Sequence, residues 1–166
     1  MPGSIRGAGL LALVLSVACH HRGKPTATAV GPDSAQGVVS IVGTGFDQQL
    51  VLQGAAATRP TRLRITTEAD SAALTRLGGV EVLVRGTRAD DGFRVSTFTA
   101  VRVGASPVVD GVLRLDGDHV VLETSTGRTT LGNPPDALRR MIGARVWISG
   151  PLATGPNSYG IIVPAR

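Results

Sequence analysis

The sequence predicts a mainly β protein made of two small, consecutive units of one kind. A repeated segment indicates the duplication, because residues 74–86 and 138–150 match at a constant offset of 64 residues. Each copy shows a helix end, a glycine stop and a strand in which every second residue is apolar. The composition agrees, since Val, Ile, Leu and Thr are frequent and glycines recur about every ten residues.

The first unit is predicted to contain five strands and one helix. The helix, at about residues 68–77, begins at Thr67, whose hydroxyl can accept orphan amides while Asp70 faces the positive end of the helix dipole. Gly78 and Gly79 end it. The strands are predicted at residues 37–43, 49–53, 62–66, 80–87 and 93–103.

The second unit is predicted to repeat this order. Its helix is expected to begin with Asn133 as the cap and Pro134 at the first helical position, and to stop at Gly143. The strands are predicted at residues 108–115, 119–124, 128–131, 144–152 and 159–163.

Three strands, a helix and two strands, occurring twice, resemble the OB-fold, a small Greek-key barrel with one helix between strands 3 and 4. The doubled segments carry this resemblance, together with the openings Gly37-Val38 and Gly111-Val112. Periplasmic bacterial OB-fold proteins are the named group that the chain resembles. The resemblance implies two tandem OB-like β-barrels, at residues 37–104 and 105–166. SH3-like barrels, or one β-sandwich built from both halves, remain alternatives.

The chain starts like an export signal. Arg6 is followed by an apolar run at residues 7–17 and by the small residue Ala18. That run is much shorter than the roughly 20 residues a membrane-spanning helix needs. We therefore expect residues 1–18 to be a signal peptide.

Residues 15–19, Leu-Ser-Val-Ala-Cys, resemble a bacterial lipobox and depart from it at Ser16, where leucine is usual. The resemblance implies that Cys19, the single cysteine, carries fatty acyl chains such as palmitate and anchors the protein to a membrane. The alternative is an ordinary cleavage site that leaves Cys19 as a free thiol. His20 in place of aspartate favours the outer membrane, and residues 19–36 are typical of a flexible linker.

The chain is basic, with a net charge of +5 and an isoelectric point near 10.9. Such a charge is typical of nucleic-acid-binding proteins. All but one of the seventeen positive residues are arginines, and they are scattered along the chain. Single-strand binding also needs aromatic platforms on which bases stack. The aromatic residues of the chain are few, namely Phe46, Phe93, Phe98, Trp147 and Tyr159. The sequence therefore argues against nucleic acid as the partner.

Side chains suited to catalysis are sparse, since the chain has three histidines, one cysteine and no carboxylate pair on a recognisable platform. Residues 116–119, Asp-Gly-Asp-His, could be drawn with Asp110 as a metal site. Alternating strands on both sides make a hairpin turn the better interpretation. We predict no catalytic residue, no metal ligand and no cofactor.

The predicted function is therefore that of a non-catalytic, membrane-anchored cell-envelope lipoprotein, acting as a binding or an assembly module. Its partner is expected to be an anionic glycan or another envelope protein. The alternative function is that of a secreted or periplasmic OB-fold module that binds an anionic glycan or, as the less favoured ligand, nucleic acid. The candidate binding residues are Trp147 and Leu83, which share one outward position in the repeat, with Arg145 and Arg85 beside them. The competing explanation for Trp147 and Leu83 is a contact between the two units.

Overall fold

The computed structural model describes residues 33–55 and 59–166. The predicted signal peptide, Cys19 and most of the predicted linker lie outside these residues. Of the described residues, 56% lie in strands and 12% in helices, which confirms the mainly β prediction. Along this part of the chain, no helix is both long and apolar enough to cross a lipid bilayer.

The elements follow the predicted order of three strands, a helix and two strands, twice. The first half contains β1 (Asp33–Val42), β2 (Gln49–Gln53), β3 (Thr61–Arg64), α1 (Glu68–Arg76), β4 (Val80–Ala89) and β5 (Gly92–Val103). The second half contains β6 (Ser106–Asp116), β7 (His119–Thr124), β8 (Gly127–Thr130), α2 (Asp136–Arg139), β9 (Arg145–Ser149) and β10 (Ser158–Val163). A 3-10 turn, Gly45–Asp47, lies between β1 and β2.

The ten strands of the described residues belong to one sheet, and the order of pairing in the first half closes on itself. β1 pairs with both β2 and β4, β2 pairs with β3, and β4 pairs with β5. β3 and β5 are parallel neighbours, whereas the other pairs are antiparallel. The order of pairing is therefore β1, β2, β3, β5, β4 and back to β1.

The second half repeats this pattern with one link missing. β6 pairs with β7 and β9, β7 pairs with β8, and β9 pairs with β10. The described residues show no ladder between β8 and β10, the equivalents of β3 and β5. One backbone hydrogen bond lies close to the missing ladder: the Gly132 N–H, just after β8, donates to the Leu152 carbonyl at 2.8 Å. The second half is therefore a more open version of the first.

Helix α1 has the predicted cap. The Thr67 hydroxyl oxygen accepts from the Asp70 N–H at 3.1 Å and donates to the Asp70 carboxylate at 2.6 Å. Ala73 and Leu74 are buried on its inner face. The chain leaves the helix at Gly79, whose φ of 80° lies in the left-handed region that glycine tolerates best.

The predicted start of helix α2 is wrong. Pro135 is the N-cap residue, and Asn133 makes no cap because its φ is 40°, away from the extended backbone that a cap requires. A residue before proline is kept out of the helical region, so Pro134 cannot begin a helix ahead of Pro135. The predicted stop at Gly143 is also wrong, because helix α2 ends at Arg139 and a turn follows up to Gly143. Gly143 itself has a left-handed backbone, with a φ of 90°.

Two hydrophobic cores form, one in each half, and the halves are joined at several places. Ile162 of β10 is fully buried in the first core, although it belongs to the second half. Trp147 and Val108 also pack against the first core. β5 and β6 pair at Arg102–Pro107 and Val103–Ser106 across the turn at Gly104, so the sheet continues from one half into the other.

Candidate functional site

A groove opens where β2 and β3 separate. Their ladder contains the pairs Leu52–Thr61 and Val51–Arg62 and then stops. Continued in register, it would bring Gln49 opposite Arg64, but these residues are not paired. The groove extends from this gap to β1, β5 and α1 and measures about 610 Å³. It is lined by Ile41, Gln48, Gln49, Leu50, Arg62, Leu63, Arg64, Ile65, Thr66, Ser71, Thr75 and Arg94.

Three arginines meet at this groove because of strand alternation and register. Leu63 is buried in the first core, so its neighbours Arg62 and Arg64 point to the opposite face. Phe93 is buried in the same core, which turns Arg94 outward in the same way. The parallel register of β3 and β5 places Arg64 beside Arg94. All three arginines are exposed.

The charge of the groove is positive and only partly compensated. Arg64 forms an ion pair with Asp91, and both side chains are about half exposed. Among the described residues, no carboxylate lies within ion-pair distance of Arg62 or Arg94. None of the described residues lining the groove is acidic. The guanidinium groups of Arg62 and Arg94 are therefore available to an anion, which arginine can bind through two parallel hydrogen bonds.

The rest of the groove mixes neutral polar and aliphatic groups. Gln48 and Gln49 contribute side-chain amides, and the hydroxyls come from Thr66, Ser71 and Thr75. The Thr75 hydroxyl donates to the Ser71 carbonyl at 2.8 Å and keeps its acceptor lone pairs.

Aliphatic side chains complete the lining. Ile41, Leu50 and Ile65 contribute apolar surface, and Ile41 is 45% exposed. The groove can thus contact charged, hydroxyl-bearing and apolar parts of one ligand.

The aromatic side chains lie almost entirely in the packing. Phe93 and Phe98 are buried in the first core, Trp147 packs against it, and Tyr159 packs against the second core. Phe46 alone is fully exposed, on the turn that leads into Gln48. With all of the aromatic residues of the chain accounted for, no row of stacking platforms is available on the surface.

Trp147 and Arg145 lie at the contact between the halves. The Trp147 indole covers Gly160 of β10, its neighbour in the ladder, so closely that a Cβ atom there would lie 2.5 Å from the ring. Arg145 is hydrogen-bonded to the Asp110 carboxylate. Trp147 also packs against the first core, and Arg145 donates to the Phe98 carbonyl of β5. The predicted contact between the units is thus found for Trp147.

Leu83 and Arg85 lie on the outer face of β4, where Leu83 is half-buried and Arg85 exposed. β5 and β6 stand between β4 and β9 in the sheet. Residues 83 and 85 are therefore separated from residues 145 and 147 by two intervening strands.

The predicted hairpin at residues 116–119 is confirmed. Asp116 pairs with His119, and Gly117 turns the chain with a φ of 58°. Asp110 is engaged elsewhere, with Arg145. In the part of the chain that the structure describes, no three His, Cys, Asp or Glu side chains are placed to hold a metal ion.

The sequence patterns do not single out the groove arginines. Arg62 and Arg64 flank an apolar residue and Arg94 follows one, which is the ordinary pattern of a half-buried strand. Only the parallel pairing of β3 with β5 brings the three together. Such a pairing joins residues about thirty positions apart and has no local signature.

No protein-family model matches the chain, and neither the curated proteins nor the solved structures contain a match.

Proposed function

We propose that this chain is a non-catalytic, lipid-anchored protein of the bacterial cell envelope that binds an anionic ligand in the groove between β2 and β3. The observation that carries the binding proposal is the meeting of Arg62, Arg64 and Arg94 on one exposed face beside a groove of about 610 Å³. Sites of about 300–1,000 Å³ are typical for small ligands. The residues around Cys19 support the anchor.

The proposal includes a fold of two OB-like units. The pairing order β1, β2, β3, β5, β4 and back to β1, with one helix between the third and fourth strands, supports an OB-like barrel in the first half. The same order without the β8–β10 ladder supports an opened copy in the second half. The groove would then lie on the more completely paired of the two units.

The proposed location follows from the lipobox-like segment. A lipid at Cys19, followed by His20, supports attachment to the outer membrane on the side that faces the periplasm. Several acyl chains would hold the protein stably in the membrane, since each buried methylene contributes about 0.8 kcal/mol to membrane binding. The folded body would then meet the anionic molecules of the envelope.

A titration of the isotope-labelled chain with pyrophosphate and with citrate, followed by nuclear magnetic resonance, tests the groove. We expect the side-chain Nε–H signals of Arg62 and Arg94 to shift and saturate with both anions. Arg62→Gln combined with Arg94→Gln should abolish saturable binding. Arg139→Gln combined with Arg140→Gln is the matched control, because it also removes two charges, from exposed arginines of the second half that do not line the groove.

Equal, unsaturated shifts at arginines all over the surface would contradict the proposal. So would unchanged binding by the Arg62→Gln, Arg94→Gln double variant. Either result would mean that the anions sense only the net positive charge of the chain.

A further inference from the structure

We infer that the ligand of the groove is an acidic oligosaccharide, a short chain of sugars that carries carboxylates. This inference rests on the proposed function and names its ligand class. It depends on three properties of the groove: its mixture of lining groups, the spacing of its free charges and the placement of the aromatic residues.

The lining matches the chemistry of a sugar acid in all its parts. Arg62 and Arg94 suit carboxylates, which accept two parallel hydrogen bonds from a guanidinium. The amides and hydroxyls of Gln49, Thr66 and Ser71 suit a ligand with many hydroxyl groups. The aliphatic side chains suit the apolar C–H face of a sugar ring. A bare inorganic anion would use the arginines and leave the other groups without a partner.

The free charges are arranged for two acid groups. Arg62 and Arg64 are two residues apart on β3, or about 7 Å between Cα atoms, and Arg94 lies one strand away from Arg64, or about 5 Å. Arg64 is already paired with Asp91. The two free arginines therefore stand on a diagonal with their Cα atoms about 8 Å apart. An extended ligand with separated carboxylates spans that diagonal better than one compact anion does.

The placement of the aromatic residues argues for sugar over nucleic acid. Oligonucleotide-binding surfaces stack successive bases on successive aromatic rings. Phe46 is the one exposed ring of the chain, and it lies on the turn that enters the groove at Gln48. One ring can cover the face of one sugar, whereas a stack of bases needs several platforms.

Calorimetric titrations with four probes test the inference. The probes are a trimer of galacturonic acid, a neutral galactose trimer, citrate and a short oligothymidylate. We expect the acidic trimer to bind best, and the neutral trimer to bind at least about tenfold more weakly. Arg62→Gln and Arg94→Gln should each weaken the acidic trimer by about tenfold or more, and Arg140→Gln should leave it unchanged.

Contacts to the sugar itself are tested by Gln49→Ala and Phe46→Ala. Both should weaken the acidic trimer several-fold and weaken citrate clearly less, because citrate has the carboxylates without the rings. Thermal melting of each variant serves as the control for folding.

The outcomes separate the two proposals. Citrate or oligothymidylate binding more tightly than the acidic trimer, with the same dependence on Arg62 and Arg94, would overturn the sugar inference and leave the anion-binding groove standing. The same holds if Gln49→Ala and Phe46→Ala weaken citrate and trimer equally. Failure of every anion to bind would overturn both proposals.

Discussion

Arg145 and Asp110 form a two-pronged ion pair, with 2.8 Å between Nε and Oδ1 and 2.8 Å between Nη2 and Oδ2. Nη2 of Arg145 also donates to the Phe98 carbonyl at 2.6 Å, and Asp110 Oδ2 accepts from the Ala100 N–H at 2.9 Å. The guanidinium carbon lies 4.6 Å from the centre of the Phe98 ring. Because Phe98 and Ala100 belong to β5 whereas Asp110 and Arg145 belong to β6 and β9, this network joins the two halves.

The first prediction is that Asp110→Ala strongly destabilises the fold. The Asp110 side chain is 3% exposed and that of Arg145 is 27% exposed, so the substitution leaves a largely buried guanidinium and the Ala100 N–H without their acceptor. Breaking such a pair from one side costs about 3–5 kcal/mol. Urea unfolding of the variant and the parent measures the difference.

The control for that prediction replaces both partners. Asp110→Leu together with Arg145→Met removes both charges and keeps the volume, so much of the lost stability should return. Arg114→Ala, which disrupts an exposed pair with Glu123, should change the urea midpoint little. A midpoint for Asp110→Ala equal to that of the parent would show that the network does not hold the halves together.

The second prediction concerns acid. Hydrogen bonds from Arg128 at 2.8 Å and then from Arg114 at 3.1 Å lower the pKa of Glu123 below its ordinary value. A depressed folded pKa contributes stability above the ordinary pKa of the carboxyl, and this stability is lost as the pH falls through the lowered value. A carboxyl titration followed by nuclear magnetic resonance should place the Glu123 midpoint on the acid side of an unfolded glutamate. In Glu123→Gln, the loss of folding stability on acidification should be smaller than in the parent, because the contribution of Glu123 is missing.

The third prediction concerns Gly79 and Gly143, the two matched glycines that lie just before β4 and β9. Gly79 and Gly143 have φ values of 80° and 90°, and the nearest atom to an added Cβ is at 3.7 Å, for Gly143. Adding a side chain at either glycine should therefore lower the free energy of unfolding by about 1–2 kcal/mol, because of the backbone conformation and not because of a clash. Gly79→Val and Gly143→Val should both melt below the parent, and Gly79→Asn should lose less than Gly79→Val because asparagine tolerates this backbone better. Unchanged melting of both valine variants would contradict the equivalence of the two segments.

The fourth prediction uses the single tryptophan. Because Trp147 is half-buried between the first core and Gly160, its emission should be blue-shifted in the intact protein. Gly160→Ala would force the ring away, so we expect a red shift and a lower melting temperature. Gly78→Ala is the control, since an added Cβ there meets its nearest atom at an ordinary 3.5 Å. Emission of the parent close to that of free indole would rule out the packed position.

The fifth prediction concerns the anchor. Labelled palmitate should enter the parent and not Cys19→Ala, because a thiol is needed for acylation. The variant should remain unprocessed or appear in the soluble fraction. Absence of label from a parent whose mature chain begins at a free Cys19 would refute the lipid anchor.

The features that the sequence predicts correctly are local. The order of strands follows from alternation, as in Val82 and Val84 of β4 or Val146 and Ile148 of β9, all of which are buried. The Thr67 cap and the stop at Gly79 also depend on neighbours a few residues away.

The features that the sequence does not predict depend on residues far away in the chain or on steric conflict between adjacent prolines. Two consecutive prolines delay helix α2, and the groove exists because β3 turns away from β2 to lie parallel to β5. The predicted strand at residues 37–43 begins earlier, at Asp33, because residues 33–38 pair with β4. None of these partners can be recognised within a window of a few residues.

The contacts that join the two halves also limit the conformational change that ligand binding could cause. Ile162 is buried in the opposite core, and the sheet continues from β5 into β6 across Gly104, so a movement of one half against the other would uncover Ile162 and disturb that pairing. These contacts favour a single block. Large conformational signals usually travel through a hinge or a sliding interface. A groove on such a block needs little rearrangement to bind, so the ordering cost of the proposed interaction would fall mainly on the flexible ligand.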